Sequence, residues 1–500
     1  MSMLVPLPTP VPIRHGVVDR EGWLAVADDV QSGGGRLVSL WGSRRPGGTV
    51  ACAAYAFSSE GGLAWIELPL ADADQGPASY PDLATRFPAA ARMQRAARDL
   101  DGILAEGAAD TRPWLDHGLW QLPPGRDLPT PYDFVRVEGE GVHEIAVGPV
   151  HAGIIEPGHF RFSVVGEKVL RLEERLGYTH KGIDRRFTEL APLQAHRLAG
   201  RVSGDSTVAY AWAYCMALEA ATGCTVPRRA QWLRAVLLER ERVANHLGDL
   251  GALGNDAAFG VGMAQFSRLR EDWQRLSMQL FGHRFMMDRL VPGGVAVDLD
   301  DAGCRALVAQ CDAIEPEVRL LHRIYDEHAG LQDRFITTGQ VSPPLAAQLG
   351  LTGLAGRASA QAWDLRCNPS LSPYDQLDVQ MATHRNGDVA ARVTVRFDEA
   401  LESLRLLREL CRRLPAGPVL VETVLPDGSA IGAGWVEGWR GEVFVALELD
   451  DTGHAIRRCH CHDPSWQNWP VLEHAVIGNI VPDFPLINKS FNLSYSGHDL

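Results

Sequence analysis

Two histidines in a glycine- and proline-rich segment are the first candidates for chemistry. His151 and His159 lie within residues 148–160, which read GPVHAGIIEPGHF. Side chains on such loops often face a binding site, and an imidazole there can hydrogen-bond a ligand or carry a proton near neutral pH. A loop histidine can equally bond its own backbone, and the sequence leaves both interpretations open.

A second candidate is the run Cys459-His460-Cys461-His462, whose residue types are those of a zinc site. If this run is a strand, its cysteines lie on one face and its histidines on the other. Four ligands could not then converge on one tetrahedral ion, so we predict ordinary strand residues and no metal. The nine cysteines are odd in number and form no C-x-x-C pair, so they indicate neither a disulfide framework nor a four-thiolate cluster.

Composition describes a soluble globular chain and excludes some partners. The 500 residues carry 48 basic and 62 acidic side chains, a net charge of -14, with no run rich in Lys and Arg. Nucleic acid needs a concentrated positive patch, so we expect no nucleic-acid partner. No apolar run approaches the roughly 20 residues that cross a bilayer. We therefore expect a cytoplasmic chain that reaches the membrane only through a partner.

The elements that position these residues fall into two predicted domains of an α+β fold. Residues 1–120 combine short apolar runs with a helical stretch near residues 88–105, as in a small α+β domain. Residues 121–134 are rich in proline and predict a linker. Residues 135–500 form the larger domain, which opens with antiparallel strands at residues 160–165 and 168–172.

The larger domain then predicts a helical-bundle core flanked by antiparallel β-sheet. After residue 419 the pattern returns to strands, with a glycine-rich hairpin at residues 432–441 and a polar tail at the end. Five segments before it have the length and pattern of bundle helices. They are residues 193–223, 229–251, 262–281, 301–329 and 397–414.

Several segments together resemble the superfamily shared by nickel-iron hydrogenase large subunits and the 49 kDa subunit of respiratory complex I. The resemblance covers roughly residues 135–500, and its order and spacing are more specific than any one motif. Residues 1–120 resemble, more weakly, the 30 kDa complex I subunit, with residues 95–103 as the best local match. The segments that carry the main resemblance are residues 148–160, 177–182, 238–247, 349–353, 357–359, 364–366 and 463–466.

The resemblance implies a metal site that this chain lacks. Hydrogenases of the superfamily hold nickel and iron with two C-x-x-C pairs, and soft thiolates suit such a centre. The early pair corresponds to Ser203 and Ser206, and the late pair to about Ser494 and Gly497. A serine hydroxyl is a hard, poor ligand, so hydrogen turnover is not expected and we predict no metal.

In complex I the same cavity accepts a quinone headgroup, and the resemblance implies a histidine and a tyrosine as its partners. His159 matches the histidine, whereas Gly204 stands at the tyrosine position. Asp205, Ser203 and Ser206 would leave a polar pocket wall. A quinone is therefore a possible ligand, although one of its two hydrogen-bond partners is missing.

Other polar residues receive roles from their family positions. Arg357, Asp364 and Arg366 correspond to a loop that borders the cavity, and His498 and Asp499 to its acidic C-terminal position. A proton-transfer role for Asp499 competes with a solvated chain end. His180 with Lys181 and Asp184, and Glu239 with Arg242, could belong to a charge relay or to a buried ion-pair network. Core or interface anchoring is predicted for Trp435, Trp439, Trp466 and Trp469.

Our predicted site therefore has two parts. We predict catalytic or proton-transfer roles for His151, His159, Asp205 and Asp499. We predict contact with a bound cofactor for Ser203, Gly204, Ser206, Arg357, Asp364 and Arg366.

The resemblance implies an oxidoreductase subunit that is active only within a complex on the cytoplasmic face of the membrane. The chain itself would hold no cofactor. An iron-sulfur small subunit similar to the 20 kDa complex I subunit, and membrane subunits that move ions, would be its partners. The alternatives are a non-catalytic scaffold in the same complex and, least favoured, a true hydrogenase. No strand, Gly-x-Gly-x-x-Gly and helix unit supports direct nicotinamide binding.

Overall fold

A sheet that packs on both faces begins the chain. The computed structural model describes residues 4–58, 61–71, 77–120, 132–153, 155–369 and 371–500. Five strands pair in the order β1-β2-β5-β4-β3, and only β2 and β5 are parallel. They are β1 (Val5–Pro6), β2 (Ile13–Val17), β3 (Arg36–Arg45), β4 (Gly48–Ala56) and β5 (Leu63–Pro69).

Two helices cover one face of this sheet. They are α1 (Arg20–Ser32), which Asp19 caps by accepting the Gly22 N–H at 2.8 Å, and α2 (Ala90–Asp101). A short parallel pair, β6 (Ser79–Pro81) and β7 (Leu104–Glu106), flanks α2. The helix predicted near residues 88–105 therefore ends earlier than expected. Most of the linker predicted at residues 121–134 lies outside the described residues.

The larger part of the chain opens with a second sheet. The strands β8 (Val142–Val147), β9 (His159–Val165) and β10 (Lys168–Arg175) pair antiparallel in the order β10-β9-β8. The two strands predicted at residues 160–165 and 168–172 are confirmed.

The predicted helical core is present, with α6 at its centre. The prediction for residues 193–223 was wrong in one respect, because a 3₁₀ turn at Gly204–Ser206 separates two helices there. Pro316 lies inside α8. The helices are α3 (Ile183–Thr188), α4 (His196–Ala199), α5 (Thr207–Thr222), α6 (Arg228–Asp256), α7 (Gly260–Phe281), α8 (Asp301–Glu327), α9 (Ala329–Phe335), α10 (Pro343–Leu349), α11 (Gly353–Ala358) and α12 (Val389–Arg412). A short hairpin of β11 (Leu290–Val291) and β12 (Gly294–Val295) lies between α7 and α8.

Helix α5 is apolar on all sides because it is buried on all sides. It packs against the first strand of a third antiparallel sheet, β13 (Ile431–Glu437), β14 (Glu442–Leu449) and β15 (Ile456–His462). Gly432 and Gly434 permit this contact, since a Cβ at either position would stand about 2 Å from a carbonyl oxygen of α5. The glycine-rich hairpin predicted at residues 432–441 is confirmed and serves this close approach.

The chain then ends in helices. They are α13 (Ser465–Ala475), α14 (Phe484–Phe491) and α15 (Tyr495–Asp499). The polar tail was a wrong prediction, because every residue from Tyr495 to Leu500 is buried. Residues 463–466, one of the segments that carry the resemblance, lead into α13. Within the described residues, no helix combines the length and apolar content needed to cross a membrane. The mixture of helices and small sheets confirms the α+β class.

Ion pairs join the first sheet to the third. The Arg45 guanidinium on β3 lies 2.6 Å from Glu67 and 2.8 Å from Glu448 on β14. Both carboxylates are almost fully buried. Burial would raise the pKa of Glu67, but hydrogen bonds from His15 and Arg45 outweigh it and hold the pKa at about 2. Glu67 therefore stabilises the fold above the pKa of an unfolded glutamate, and this contribution is lost as the pH falls toward 2.

We expect Arg45→Met to lower the free energy of unfolding by about 3–5 kcal/mol, because two buried carboxylates lose their cation. Chemical denaturation at pH 7 measures this loss. The substitution should also weaken the acid dependence of stability, since Glu67 loses a partner that lowers its pKa. Arg20→Met is the control, because Arg20 pairs with Glu106 at a site where both are about half exposed, and such pairs contribute about 0–1 kcal/mol. Equal losses in the two variants would contradict the prediction.

Candidate functional site

The serines at the metal-ligand positions that the resemblance implies come together although they lie far apart in sequence. Ser203 precedes the 3₁₀ turn, and Ser494 caps α15 by accepting the Gly497 N–H at 2.8 Å. The two hydroxyl oxygens are 2.8 Å apart and hydrogen-bond directly. Ser206 joins the group through Asp205. We call Ser203, Asp205, Ser206, Ser494 and Arg440 the serine cluster.

Asp205 and Arg440 supply the charges of the serine cluster. Asp205 accepts hydrogen bonds from the Ser203 and Ser206 hydroxyls at 2.8 and 3.3 Å. The Arg440 guanidinium lies 2.6 Å from its other carboxylate oxygen. Burial opposes ionisation, yet Arg440 and Ser203 hold the pKa of Asp205 below its usual range. Gly204, at the tyrosine position, is exposed and has nothing within 4 Å of where a Cβ would stand.

The fourth ligand position is filled by a neighbouring carboxylate. A Cβ on Gly497 would stand 2.5 Å from Asp463 Oδ2. That oxygen accepts a hydrogen bond from the Tyr210 hydroxyl at 2.8 Å. Asp463, Tyr210 and Arg440 were not predicted as site residues. The sequence signal was that Asp463 belongs to one of the family segments and that Arg440 lies within the glycine-rich hairpin.

These donors do not fit the nickel-iron centre that the resemblance implies. Three hydroxyls and a glycine provide no soft ligand. Ser203 and Ser494 bond to each other, and Asp463 takes the space beside Gly497. The geometry is that of a closed hydrogen-bonded cluster. A cluster of this kind can hold and pass a proton.

The chain end is fixed beside the cluster. Asp499 accepts hydrogen bonds from the Thr179 N–H at 2.9 Å and its hydroxyl at 2.7 Å. His498 Nδ1 lies 2.9 Å from the other carboxylate oxygen. Burial would raise the pKa of Asp499, but His498 and Thr179 keep it below its usual range. The alternative of a solvated chain end is therefore wrong, whereas proton transfer by Asp499 stays a prediction.

The two loop histidines differ in their surroundings. His151 Nε2 lies 2.8 Å from the Gly158 carbonyl oxygen, so it bonds its own loop, as one interpretation held. His159 begins β9 and packs beside Phe134, with the ring centroids 5.2 Å apart and the rings tilted by 52°. Its Nε2 atom is buried and has no hydrogen-bond partner among the described residues. Burial lowers the pKa of His159, so the neutral ring is favoured.

Glu156 was missed in the same loop. Its carboxylate accepts the Ser496 N–H at 3.0 Å and so ties the opening loop to α15. None of the described contacts of His159 reaches the serine cluster, so a quinone site shared by the two stays a prediction.

Arg357, Asp364 and Arg366 lie in a separate buried ion-pair network. Arg357 lies 2.7 Å from Glu399 and 2.8 Å from Glu437. Arg366 lies 2.7 Å from Asp364 and 3.2 Å from Glu239. The network thus joins α11, α12, β13 and α6. Direct contact with a cofactor remains a prediction for these residues.

The network has more carboxyls than guanidiniums. Arg242 completes it by approaching Glu239 at 3.3 Å, so Glu239 and Arg242 belong to the ion-pair network that was one alternative. Four carboxyls, on Glu239, Asp364, Glu399 and Glu437, face the guanidiniums of Arg242, Arg357 and Arg366. Burial raises the pKa of Glu437 to about 7, although Arg357 opposes this shift. Glu437 is therefore the member that exchanges a proton near neutral pH.

Aromatic residues connect the network to the serine cluster. His246 Nε2 lies 2.9 Å from Glu399, and its ring stands edge-on to Trp439 at 6.2 Å. The Trp439 indole N–H donates to the Asp205 backbone carbonyl at 2.9 Å. Trp435, Trp439, Trp466 and Trp469 are all buried, as predicted for core anchors. His180, from the other proposed relay, lies 2.8 Å from the Asp499 carbonyl through Nδ1.

The possible metal ligands elsewhere have other partners. Residues 459–462 lie on β15, where Cys459 and Cys461 enter the apolar core, His460 stacks on Trp41, and His462 bonds Gln467 at 2.9 Å. Cys52, Glu67 and Glu448 offer ligand atoms within 4.8 Å of one another. Arg45 already supplies the positive charge between these two carboxylates.

Known proteins match the chain over most of its length. The family described as "Respiratory-chain NADH dehydrogenase, 49 Kd subunit" matches residues 256–427. The "Carbon monoxide-induced hydrogenase" of Rhodospirillum rubrum is 34% identical over 70% of this chain and 97% of its own. "Formate hydrogenlyase subunit 5" of Escherichia coli K12 is 31% identical over 89% of this chain and 81% of its own.

A solved structure agrees with these matches. A chain of the membrane-bound sulfane sulfur reductase, an archaeal respiratory membrane complex, superposes with a TM-score of 0.67. It is 25% identical, and the match covers 72% of this chain and 99% of that one. The relatives are subunits of membrane-bound hydrogenase or complex I-like assemblies. The chain therefore belongs to the family that unites hydrogenase large subunits of this type with the 49 kDa subunit of respiratory-chain NADH dehydrogenase.

Proposed function

We propose that this chain is the large, non-nickel subunit of a membrane-associated, complex I-like oxidoreductase, and that its serine cluster couples proton movement to events in partner subunits. The direct hydrogen bond between Ser203 and Ser494, 2.8 Å long, is the observation that carries the proposal. It closes the position where the family's metal would bind. A closed polar cluster favours a coupling role over a ligand pocket.

Charges arranged across the core support this role. The serine cluster lies at one end of this row of polar groups, and the ion-pair network around Arg357 lies at the other. Trp439 and His246 lie between them. A proton gained or lost at Glu437 changes the charge that Arg357 must balance. Because both groups are buried in a region of low dielectric constant, such a change in charge alters the electrostatic interactions of several helices.

The remaining parts of the function come from partners. Electron transfer would use an iron-sulfur cluster in a small subunit, and ion transport would use membrane-embedded subunits. The chain would then lie at the cytoplasmic face of the membrane. The names of its relatives, which include a hydrogenase, a formate hydrogenlyase subunit and a respiratory membrane complex, support such an assembly. They do not require hydrogen turnover here.

Metal analysis of the purified intact complex, and of this subunit alone, tests the proposal. We expect iron in the complex, from the partner's cluster, and no nickel with this subunit, because the serine cluster has no soft ligand. Nickel in near-equal stoichiometry with the subunit would sink the proposal and restore a hydrogenase.

The closed cluster also predicts a specific packing effect. Gly497→Ala should lower the free energy of unfolding by about 1–3 kcal/mol, because the new methyl group overlaps Asp463. Gly204→Ala is the matched control, since nothing lies near its Cβ position. Urea denaturation of both variants provides the measurement. A Gly497→Ala variant as stable as the control would mean that the fourth ligand position is open.

A quinone-type ligand near the opening loop is the second candidate, and the unpartnered Nε2 atom of His159 favours it. Because the neutral ring already donates to the Gly148 carbonyl, Nε2 is an acceptor, and the hydroxyl of a quinol headgroup could donate a hydrogen bond to it. A short-chain quinol analogue should then bind the intact complex about tenfold more weakly after His159→Leu, which removes one uncharged hydrogen bond of roughly 1.4 kcal/mol. His143→Leu, at an exposed histidine, is the control. Unchanged binding in His159→Leu would remove this candidate.

A further inference from the structure

A small cavity lies beside the serine cluster, between the turn at Gly204 and helices α6 and α7. Its volume is about 20 Å³, which is room for about one water molecule. The residues that line it include Gly204, Asp205, Glu241, Arg270, Gln274 and Arg284. The cavity therefore separates Asp205 of the serine cluster from a carboxyl on the central helix.

Two buried donors in the wall of this cavity lack an acceptor. Gln274 is 4% exposed, and neither its Nε2 atom nor Arg270 Nε has a hydrogen-bond partner among the described residues. Arg284 donates to the Gln274 Oε1 atom at 2.9 Å, so the amide nitrogen is the end left over. Leaving such donors unpaired costs about 1–3 kcal/mol each. A small molecule that accepts hydrogen bonds from Gln274 Nε2 and Arg270 Nε would therefore be stabilised in this cavity.

Glu241 is the carboxyl on the other side. It is 4% exposed and accepts the Val208 and Ala209 N–H groups at 2.7 and 3.2 Å, at the start of α5. It forms no salt bridge within the part of the chain that the structure describes. Burial raises the pKa of Glu241 to about 8, ahead of the two backbone hydrogen bonds that lower it. A proton therefore resides there near neutral pH.

The charged groups facing Glu241 come from each element around it. Arg242 follows it on α6, and Asp205 faces it from the turn, where Arg440 neutralises that carboxylate. Arg270 on α7 and Arg284 after it complete the wall. Arg240 also lines the cavity, and its guanidinium lies 4.0 Å from the centre of the Trp273 ring and donates a hydrogen bond to Ser277. Asp205 is thus the other carboxylate that lines the cavity.

We propose that Glu241 and a water molecule bound in this cavity form a proton-loading site for the serine cluster. The water accepts hydrogen bonds from Gln274 and Arg270 and donates to the carboxyls of Glu241 and Asp205. A proton that reaches Asp205 passes through the water to Glu241, whose carboxyl holds it more tightly, and no electron moves. The role in coupling rests on the proposed function, whereas the site itself does not.

Infrared titration of the full chain tests the site. The carbonyl stretch of the protonated Glu241 carboxyl should titrate with a midpoint near pH 8. The Glu241→Gln variant should lack this signal. Glu437→Gln identifies the contribution of Glu437, another buried carboxyl whose pKa is raised, to about 7. Glu219→Gln is the matched control, because Glu219 is a buried glutamate that also accepts a backbone N–H but is paired with Arg234. A full signal in Glu241→Gln would overturn the proposal.

A second variant tests the water. Gln274→Leu keeps the size of the side chain but removes the donor, so the water should bind less well and Glu241 should become harder to ionise. The midpoint should rise by about one unit, a tenfold gain in proton affinity. An unchanged midpoint would contradict the water-mediated site even if the chain folds normally.

Turnover of the intact complex separates this inference from the proposed function. Glu241→Gln should slow turnover and flatten its pH dependence around neutrality, while Glu219→Gln should not. If the Glu241 signal titrates as expected but turnover is unaffected, the site exists and its coupling role is refuted. If nickel is found with the subunit, the proposed function fails whatever Glu241 does.

Discussion

The cost of burying charge governs the centre of this protein. Arg357 has essentially no exposed surface, and its guanidinium is matched by carboxylates from two other elements. Removing an ion from water without such partners costs several kcal/mol. The relative positions of α6, α11, α12 and β13 are therefore fixed by the need to keep each guanidinium against a carboxylate. Apolar packing alone would not specify them so narrowly.

The same constraint explains why the site could change its chemistry without loss of the fold. Around the serine cluster, each polar group has another to bond, because Asp205 receives Ser203, Ser206 and Arg440. Ser494 serves both as a partner of Ser203 and as the cap of α15. A hydroxyl performs this capping task well. The segments that carry Ser203 and Ser494 are thus held together by hydrogen bonds.

Much of the fold could be predicted from periodicity, and the site only in part. Strands β9 and β10 and helix α6 follow from alternation and from a long helical pattern. The prediction missed the break before α5, although Ser203 to Ser206 read SGDS, a cluster of residues typical of turns. The polar tail was predicted from the residue types at the end, whereas burial of Asp499 depends on Thr179, which lies some three hundred residues earlier.

Spacing also cannot reveal which polar groups share a site. Ser203, Asp205 and Ser206 were predicted together and do lie together. His159 was assigned to the same pocket by its family position, yet its described contacts are with Phe134 and its own loop. Asp463 and Tyr210 gave no periodic or compositional signal, because their role depends on where β15 and α5 meet. Only the three-dimensional arrangement brings these residues together.

The first sheet needs the rest of the chain to cover its second apolar face. One face packs on α1 and α2, and the other shares an apolar cluster with Phe444, Cys459 and the core helices. As a separate polypeptide, such a sheet would expose an apolar face until it met its partner. Tethering converts that encounter into a local event at an effective concentration on the order of millimolar. Production of both parts as one chain thus fixes their ratio at one to one. It also shortens the time during which the exposed apolar face could bind an incorrect partner.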